Sequence, residues 1–453
     1  MTQEKQKSYV IPLACIGLMF FAVGFALGLN GLLIPLLQSS LHVSGFVSYL
    51  IIFVTYAAFL IFGYPAGWII KKIGYKKTMA LAFFIFTLAF LLFVWPANIA
   101  KANMVEIVED GASKMVVAEG FRIKCLILFL IASFISGLSN TVLQAAINPY
   151  ITILGPLETG AKRISIMGIC NKMAYPIAIL FVSYLIGKSI SDIQTTDITK
   201  IAQIQDLIMP FFIIAAIFFV LGILVLFAPL DEIKAKGEEE GHEEDCPYAA
   251  NKTSIWQFPH LIFGCLTLFL YVGVETLALQ TPIDLANTLK LPNPELYPWL
   301  PATGMVIGYI IGILFIPRVL SQAKALKICA WLGVLGTICA FLLAVLMPEQ
   351  SKLTVWVLFT TALACSLMWP AIWPLAMADL GKFTKKGAAL LVVTIFGGAV
   401  IPPLFGLLKD YLEKSAGFTP EKAIQYAYLI ALPCFLVILW YAYKGHKIRR
   451  VSK

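Results

Sequence analysis

The sequence predicts an all-α membrane protein of twelve transmembrane helices, arranged as two pseudo-symmetric six-helix bundles. Three observations predict it: apolar runs that recur along the whole chain, basic residues gathered in alternate connections, and an echo between the two halves.

The runs come first. Of 453 residues, 60% are hydrophobic and only 13% charged. Soluble domains carry about half apolar and about a quarter charged residues, so this chain cannot cover soluble domains with polar surface. About twenty apolar residues span a bilayer core, and inside lipid such a run satisfies its backbone only as a helix. Twelve segments fit: 11–37, 46–70, 78–95, 125–150, 164–186, 208–229, 258–280, 298–316, 326–347, 353–376, 387–408 and 423–443.

Charge then orients them. With the N-terminus in the cytoplasm, the inner segments hold 22 Lys and Arg; the outer segments and their flanks hold 11, and Lys172 alone lies mid-span. That bias places both termini on the cytoplasmic side, as of a bacterial inner membrane. The formal net charge of +9 is dispersed in short clusters, so no nucleic-acid surface is implied. Lys5 and Lys7 precede a first run too long for a cleaved signal, which is therefore expected to stay as a helix. Eight of the nine cysteines lie in or beside apolar stretches and no Cys-x-x-Cys occurs; they read as small buried side chains.

The division into halves follows. Residues 1–230 form the first bundle and 258–453 the second, joined by a cytoplasmic linker at 231–257. The linker holds the one long acidic run, Glu238 to Asp245, and reads as a solvated hinge; its His242 and Cys246 are not expected to bind metal. Gly63-Tyr64-Pro65-Ala66-Gly67 in span two is echoed by Gly308-Tyr309-Ile310-Ile311-Gly312 in span eight, each ahead of a basic stretch. Asn148-Pro149 in span four parallels Trp373-Pro374 in span ten, and Pro176 in span five parallels Pro402-Pro403 in span eleven. Repeats of this kind suit a protein whose halves rock around a site at the membrane middle.

The loop Gly67-Trp68-Ile69-Ile70-Lys71-Lys72-Ile73-Gly74-Tyr75-Lys76-Lys77 resembles the signature loop between helices two and three of the major facilitator superfamily, with Lys71 where an acidic residue normally stands. Five further stretches resemble the L-fucose/proton symporter family within it: Leu29 to Pro35, Asn148 to Pro156, Arg163 to Lys172, Tyr271 to Glu275 and Met368 to Ile372. The last three are most similar to its glucose/galactose and N-acetylglucosamine branch. The resemblance implies the major facilitator fold and secondary transport of a sugar. It also implies two departures, because the carboxylates that the fucose carriers hold in helices one and four fall at Gly31 and Gln144. Their helix-five Asn maps onto Asn171, with Gly168 three residues before it.

The same residues can be read from physics alone. Lys172 lies nine residues beyond Arg163, about 13 Å at helical rise. An ammonium at that depth costs roughly 3 kcal/mol or more unless paired or hydrated, so it is a candidate for function, with a structural ion pair or snorkelling as the alternatives. Glu275 is the intramembrane carboxylate that can match it. It is either an ion-coupling group, exchanging a proton or binding sodium, or a permanent partner of Lys172. Asn30, Gln144, Asn148, Asn171 and Gln280 are amides in apolar spans: each can donate to and accept from sugar hydroxyls, or tie helices together. Trp369 and Trp373, four apart, share one face of span ten, where an indole can cover a pyranose ring or pack on a helix. Pro370 and Pro374 between them free backbone carbonyls. Thr394, Gly397 and Gly398 offer span eleven a close approach, to substrate or to another helix.

These readings give a carrier importing a hexose or N-acetylhexosamine with a proton or sodium, acting as a monomer in the bilayer and needing no cofactor. An uncoupled facilitator and a non-transporting sugar sensor are the alternatives. An enzyme is not expected, since His42, His242, His260 and His446 lie at span ends or in loops and no nucleotide-binding loop is visible.

Overall fold

The computed structural model describes residues 10–109, 112–153, 160–187, 203–230, 247–250, 252–316 and 319–449. The linker segment 231–246 with His242 and Cys246, the N-terminal Lys5 and Lys7, and the Gly155-Pro156 pair lie outside the described residues.

Among the described residues, twelve helices are long and apolar enough to cross a membrane. Spans one to six are Ile11–Leu41, Gly45–Ile73, Tyr75–Ala102, Glu119–Asn148, Arg163–Ile186 and Ile204–Phe227. Spans seven to twelve are Pro259–Gln280, Pro294–Phe315, Gln322–Leu346, Lys352–Met377, Leu390–Lys414 and Pro420–Lys447. Inner and outer are used below in the sense fixed by the charge bias. The turn from span two to span three shows how tightly neighbours are joined. Gly74 alone separates them, at φ 82°, and its N–H donates to the Ile70 carbonyl. Only glycine takes that left-handed conformation without strain.

Span three packs on spans four and six, and span one on span five; in the second half, span eight packs on ten and span nine on twelve. Phenylalanines fill the first half, with Phe86 stacked on Phe218 at 4.8 Å and Phe93 on Phe211 at 5.1 Å between ring centroids. The halves meet chiefly where span two crosses eleven and span five crosses eight. The internal repeat relates these two crossings, since span two matches eight and span five matches eleven.

Several local features differ from the sequence expectation. Spans three and four run further than their apolar windows, because a helix continues wherever its backbone groups still pair. Their outer connection is an antiparallel hairpin of β1 (Met104–Glu109) and β2 (Ala112–Val117), in register from Met104 opposite Val117 to Glu109 opposite Ala112. Span ten is broken at Leu367, between helices Trp356–Ser366 and Met368–Met377. Pro370 accounts for the break, since it lacks an N–H and its ring crowds the carbonyl four residues earlier. The glycine echo is one of sequence more than of packing. A side chain at Gly308 or Gly312 would strike Ser366 or Leu367 of span ten, whereas Gly63 and Gly67 face open space.

Candidate functional site

Lys172 stands near the middle of span five, on the face turned toward span seven. Its Nζ lies 3.2 Å from the Glu275 Oε1, with both side chains only 11% exposed. The pair that the sequence left open therefore forms, and it joins the two halves of the molecule. The Tyr271 hydroxyl, one helical turn before Glu275, donates to the same Oε1 at 2.7 Å. The Lys172 ammonium also sits 5.6 Å from the centre of the Tyr175 ring, one turn along its own helix. Tyr56 of span two lies beside this group: a Cβ on Gly398 would meet both its ring and the Thr276 hydroxyl. A buried ion pair gains little net stability over apolar packing, so stability alone does not account for two charges at this depth.

Aromatic faces lead from this pair toward the inner end of the second half. The Tyr271 ring lies 6.4 Å from Trp369, which stacks on Trp373 at 5.4 Å and an interplanar angle of 25°. Both indoles are partly exposed. Tyr309 of span eight closes the other side: a Cβ on Gly168 would come within 2.9 Å of its ring. The space beside Gly168, one turn before Lys172, is thus taken by a phenol from the opposite half.

The amides divide. The Asn171 Nδ2 donates to the Phe20 carbonyl at 2.9 Å, tying span five to span one. The Asn30 Nδ2 donates to Thr55 at 3.3 Å, and the Gln280 Nε2 donates to the Leu27 carbonyl at 2.8 Å across the halves. Gln144 and Asn148 are half-buried on span four. Gly397 and Gly398 serve helix packing, the first against the Phe269 backbone of span seven and the second against Tyr56 and Thr276. The Thr394 hydroxyl donates to the Leu391 carbonyl of its own helix.

Sequence reasoning passed over Tyr271, Tyr175, Tyr56 and Tyr309. Helical spacing carried a signal for the first two, at four residues before Glu275 and three after Lys172. It also missed a second buried ion pair. Lys409, counted among the outer flanking charges, is buried at the outer end of span eleven, with its Nζ 3.1 Å and 3.2 Å from the two oxygens of Asp284. Asp284 lies on the short helix Pro282–Thr288 that follows span seven.

Residues 16–403 match the sequence model of the Major Facilitator Superfamily. The chain is 29% identical over 455 residues to a glucose/galactose transporter of Brucella abortus, covering 98% of this chain and 96% of that one. It is 25% identical to an L-fucose-proton symporter of Escherichia coli, over 97% of this chain and 94% of that one. Among solved structures, it is similar to a Major Facilitator Superfamily transporter, FucP, in the outward conformation. The TM-score is 0.64 at 24% identity, over 96% of this chain and 99% of that one.

Proposed function

Because the chain belongs to the Major Facilitator Superfamily, we propose that it is a secondary carrier importing a hexose or N-acetylhexosamine with a proton, by alternating access. It is a multi-pass integral protein of the bacterial inner membrane. In this reading the substrate class follows the glucose/galactose relatives and the proton follows the fucose-proton symporter. Residues 1–230 and 258–453 rock as a monomer about a mid-membrane site, joined by the 231–257 linker.

The observation that carries the mechanism is the Lys172–Glu275 pair, which crosses the halves. While Glu275 is ionised, attraction in a low dielectric holds span five to span seven. A proton on Glu275 removes that attraction and frees the Lys172 N–H groups to donate to sugar hydroxyls. The Asn171 amide oxygen, Gln144, Asn148 and the faces of Trp369 and Trp373 complete the sugar site; Asn30 and Gln280 act as ties between helices. Glu275 thereby takes over the coupling that the fucose carriers place at the positions of Gly31 and Gln144.

The test is uptake by proteoliposomes of a panel of hexoses and N-acetylhexosamines, under separate proton and sodium gradients. Accumulation driven by the proton gradient supports the reading. Accumulation driven by sodium alone moves the coupling to that ion. The pair also favours a second reading, because Lys172 and Glu275 neutralise each other: an uncoupled facilitator, which would equilibrate sugar without accumulating it.

A further inference from the structure

The second buried ion pair belongs to a junction at the outer end of the molecule. Tyr49, one turn into span two, donates its hydroxyl to the Asp284 Oδ2 at 2.7 Å. Asp284 is already held by Lys409, with side-chain exposures of 3% and 7%. Next to Lys409, Asp410 turns the other way and accepts from the first backbone amides of span two, Gly45 N at 3.2 Å and Phe46 N at 3.0 Å. Those amides have no carbonyl within their own helix to bond, and a carboxylate there also meets the positive end of the helix dipole. Two glycines let the backbones come this close. A Cβ on Gly45 would stand 2.8 Å from the Asp410 Oδ1, and one on Gly406 would stand 2.8 Å from the Tyr49 ring and 3.1 Å from the Phe46 backbone. Phe405 fills the remaining gap edge-on to Tyr49 at 5.7 Å, and packs on Tyr428, which bonds Thr281.

We propose that this junction is the outer latch of the carrier, and that it is built to open without separating charges. The Lys409–Asp284 pair lies wholly in the second half, so it survives when the halves part. What breaks is the phenol bond of Tyr49 and the two amide bonds to Asp410, all with neutral donors. On exposure water can replace each of them, so opening leaves no donor or acceptor unpaired. The latch gives the anionic cap to span two on the outer side, whereas Lys71 stands where the carboxylate of the inner signature loop is expected.

The inference rests on the halves moving against each other, and is tested without sugar or gradient, so its failure is distinct from that of the transport reading. Spin labels are placed on two exposed outer positions, Lys101→Cys in span three and Lys352→Cys in span ten, in a background lacking the native cysteines. Distances between the labels are measured in nanodiscs. Tyr49→Phe removes one cross-half bond to a charged acceptor and keeps the ion pair. It should raise the ratio of the longer to the shorter distance population by about tenfold. Asp410→Asn, which weakens the cap without removing its oxygen, should shift the ratio the same way by less. An unchanged distribution in both variants, with monodisperse protein, would overturn the latch.

Discussion

Two of the junctions between the halves of this molecule distribute charge in opposite ways. At mid-membrane the ion pair itself crosses the divide, Lys172 on one side and Glu275 on the other. At the outer end, the ion pair stays within the second half and neutral donors reach across, Tyr49 to Asp284 and two backbone amides to Asp410. Parting the halves at the outer end therefore costs hydrogen bonds that water can replace. Parting them at the middle strands an ammonium and a carboxylate in an apolar interior, unless a proton or a substrate intervenes. In the proposed cycle, this difference gives the energetic control to the middle junction.

The largest expected effect tests that assignment directly. Glu275→Gln should abolish proton-driven accumulation, bringing the internal-to-external sugar ratio to about one. Exchange of labelled for unlabelled sugar should persist, because the amide no longer needs a proton to release Lys172. Undiminished accumulation in Glu275→Gln vesicles would take Glu275 out of the coupling role and leave the middle junction a structural clasp.

The next effect is on stability. Removing one member of a buried pair leaves the other uncompensated, at a cost of about 3–5 kcal/mol, whereas replacing both with apolar groups is often near neutral. Lys172→Met should thus lower the unfolding midpoint sharply, and Lys172→Met combined with Glu275→Leu should recover most of the loss. Additive losses in that double-mutant cycle would show that the two side chains do not depend on each other. At the outer junction Tyr49→Phe should cost far less, since the Lys409–Asp284 pair remains intact.

How much of this was legible in the sequence depended on whether the signal was local. The spans were legible because twenty apolar residues in a row have one solution in lipid. Lys172 and Glu275 stood out because each is a lone charge inside such a run. The β1–β2 hairpin had a local signal that went unread: Val-Glu-Ile-Val-Glu and Ala-Ser-Lys-Met-Val-Val flank Asp110-Gly111, the pattern of a two-residue turn. The outer latch had none. Lys409 sits where apolar run gives way to loop, and in sequence it looks like any flanking charge. Its partner Asp284 is 125 residues away behind a Thr-Pro break, and only the folded bundle brings them together. The amides show the same limit from the other side. Their depth was readable, but whether each faced a helix or the site depended on helix rotation, which spans apolar on nearly every face leave undetermined.

A smaller effect is expected at the aromatic faces. Trp369→Ala should weaken sugar binding by roughly tenfold through the loss of a stacking surface, and Trp369→Phe should restore part of it. Equal affinities in the wild type and Trp369→Ala, read by titration with the transported sugar, would assign the stacked indoles to helix packing alone.

The smallest effect is the most discriminating, because Asn171 stands between the two uses of an amide. One N–H of its Nδ2 is committed to the Phe20 carbonyl, which leaves its oxygen and its second N–H for a sugar. One neutral hydrogen bond is worth about 1 kcal/mol, so Asn171→Ala should weaken sugar affinity about fivefold. Loss of the tie to span one should lower stability by a similar amount. The two losses are separable, since the first appears in equilibrium binding and the second in the unfolding midpoint. A variant that unfolds earlier yet binds sugar as tightly as the wild type would make Asn171 a brace only. The ligand role would then fall to Lys172 beside it, and the tie would be the means by which span one fixes the depth of that ammonium.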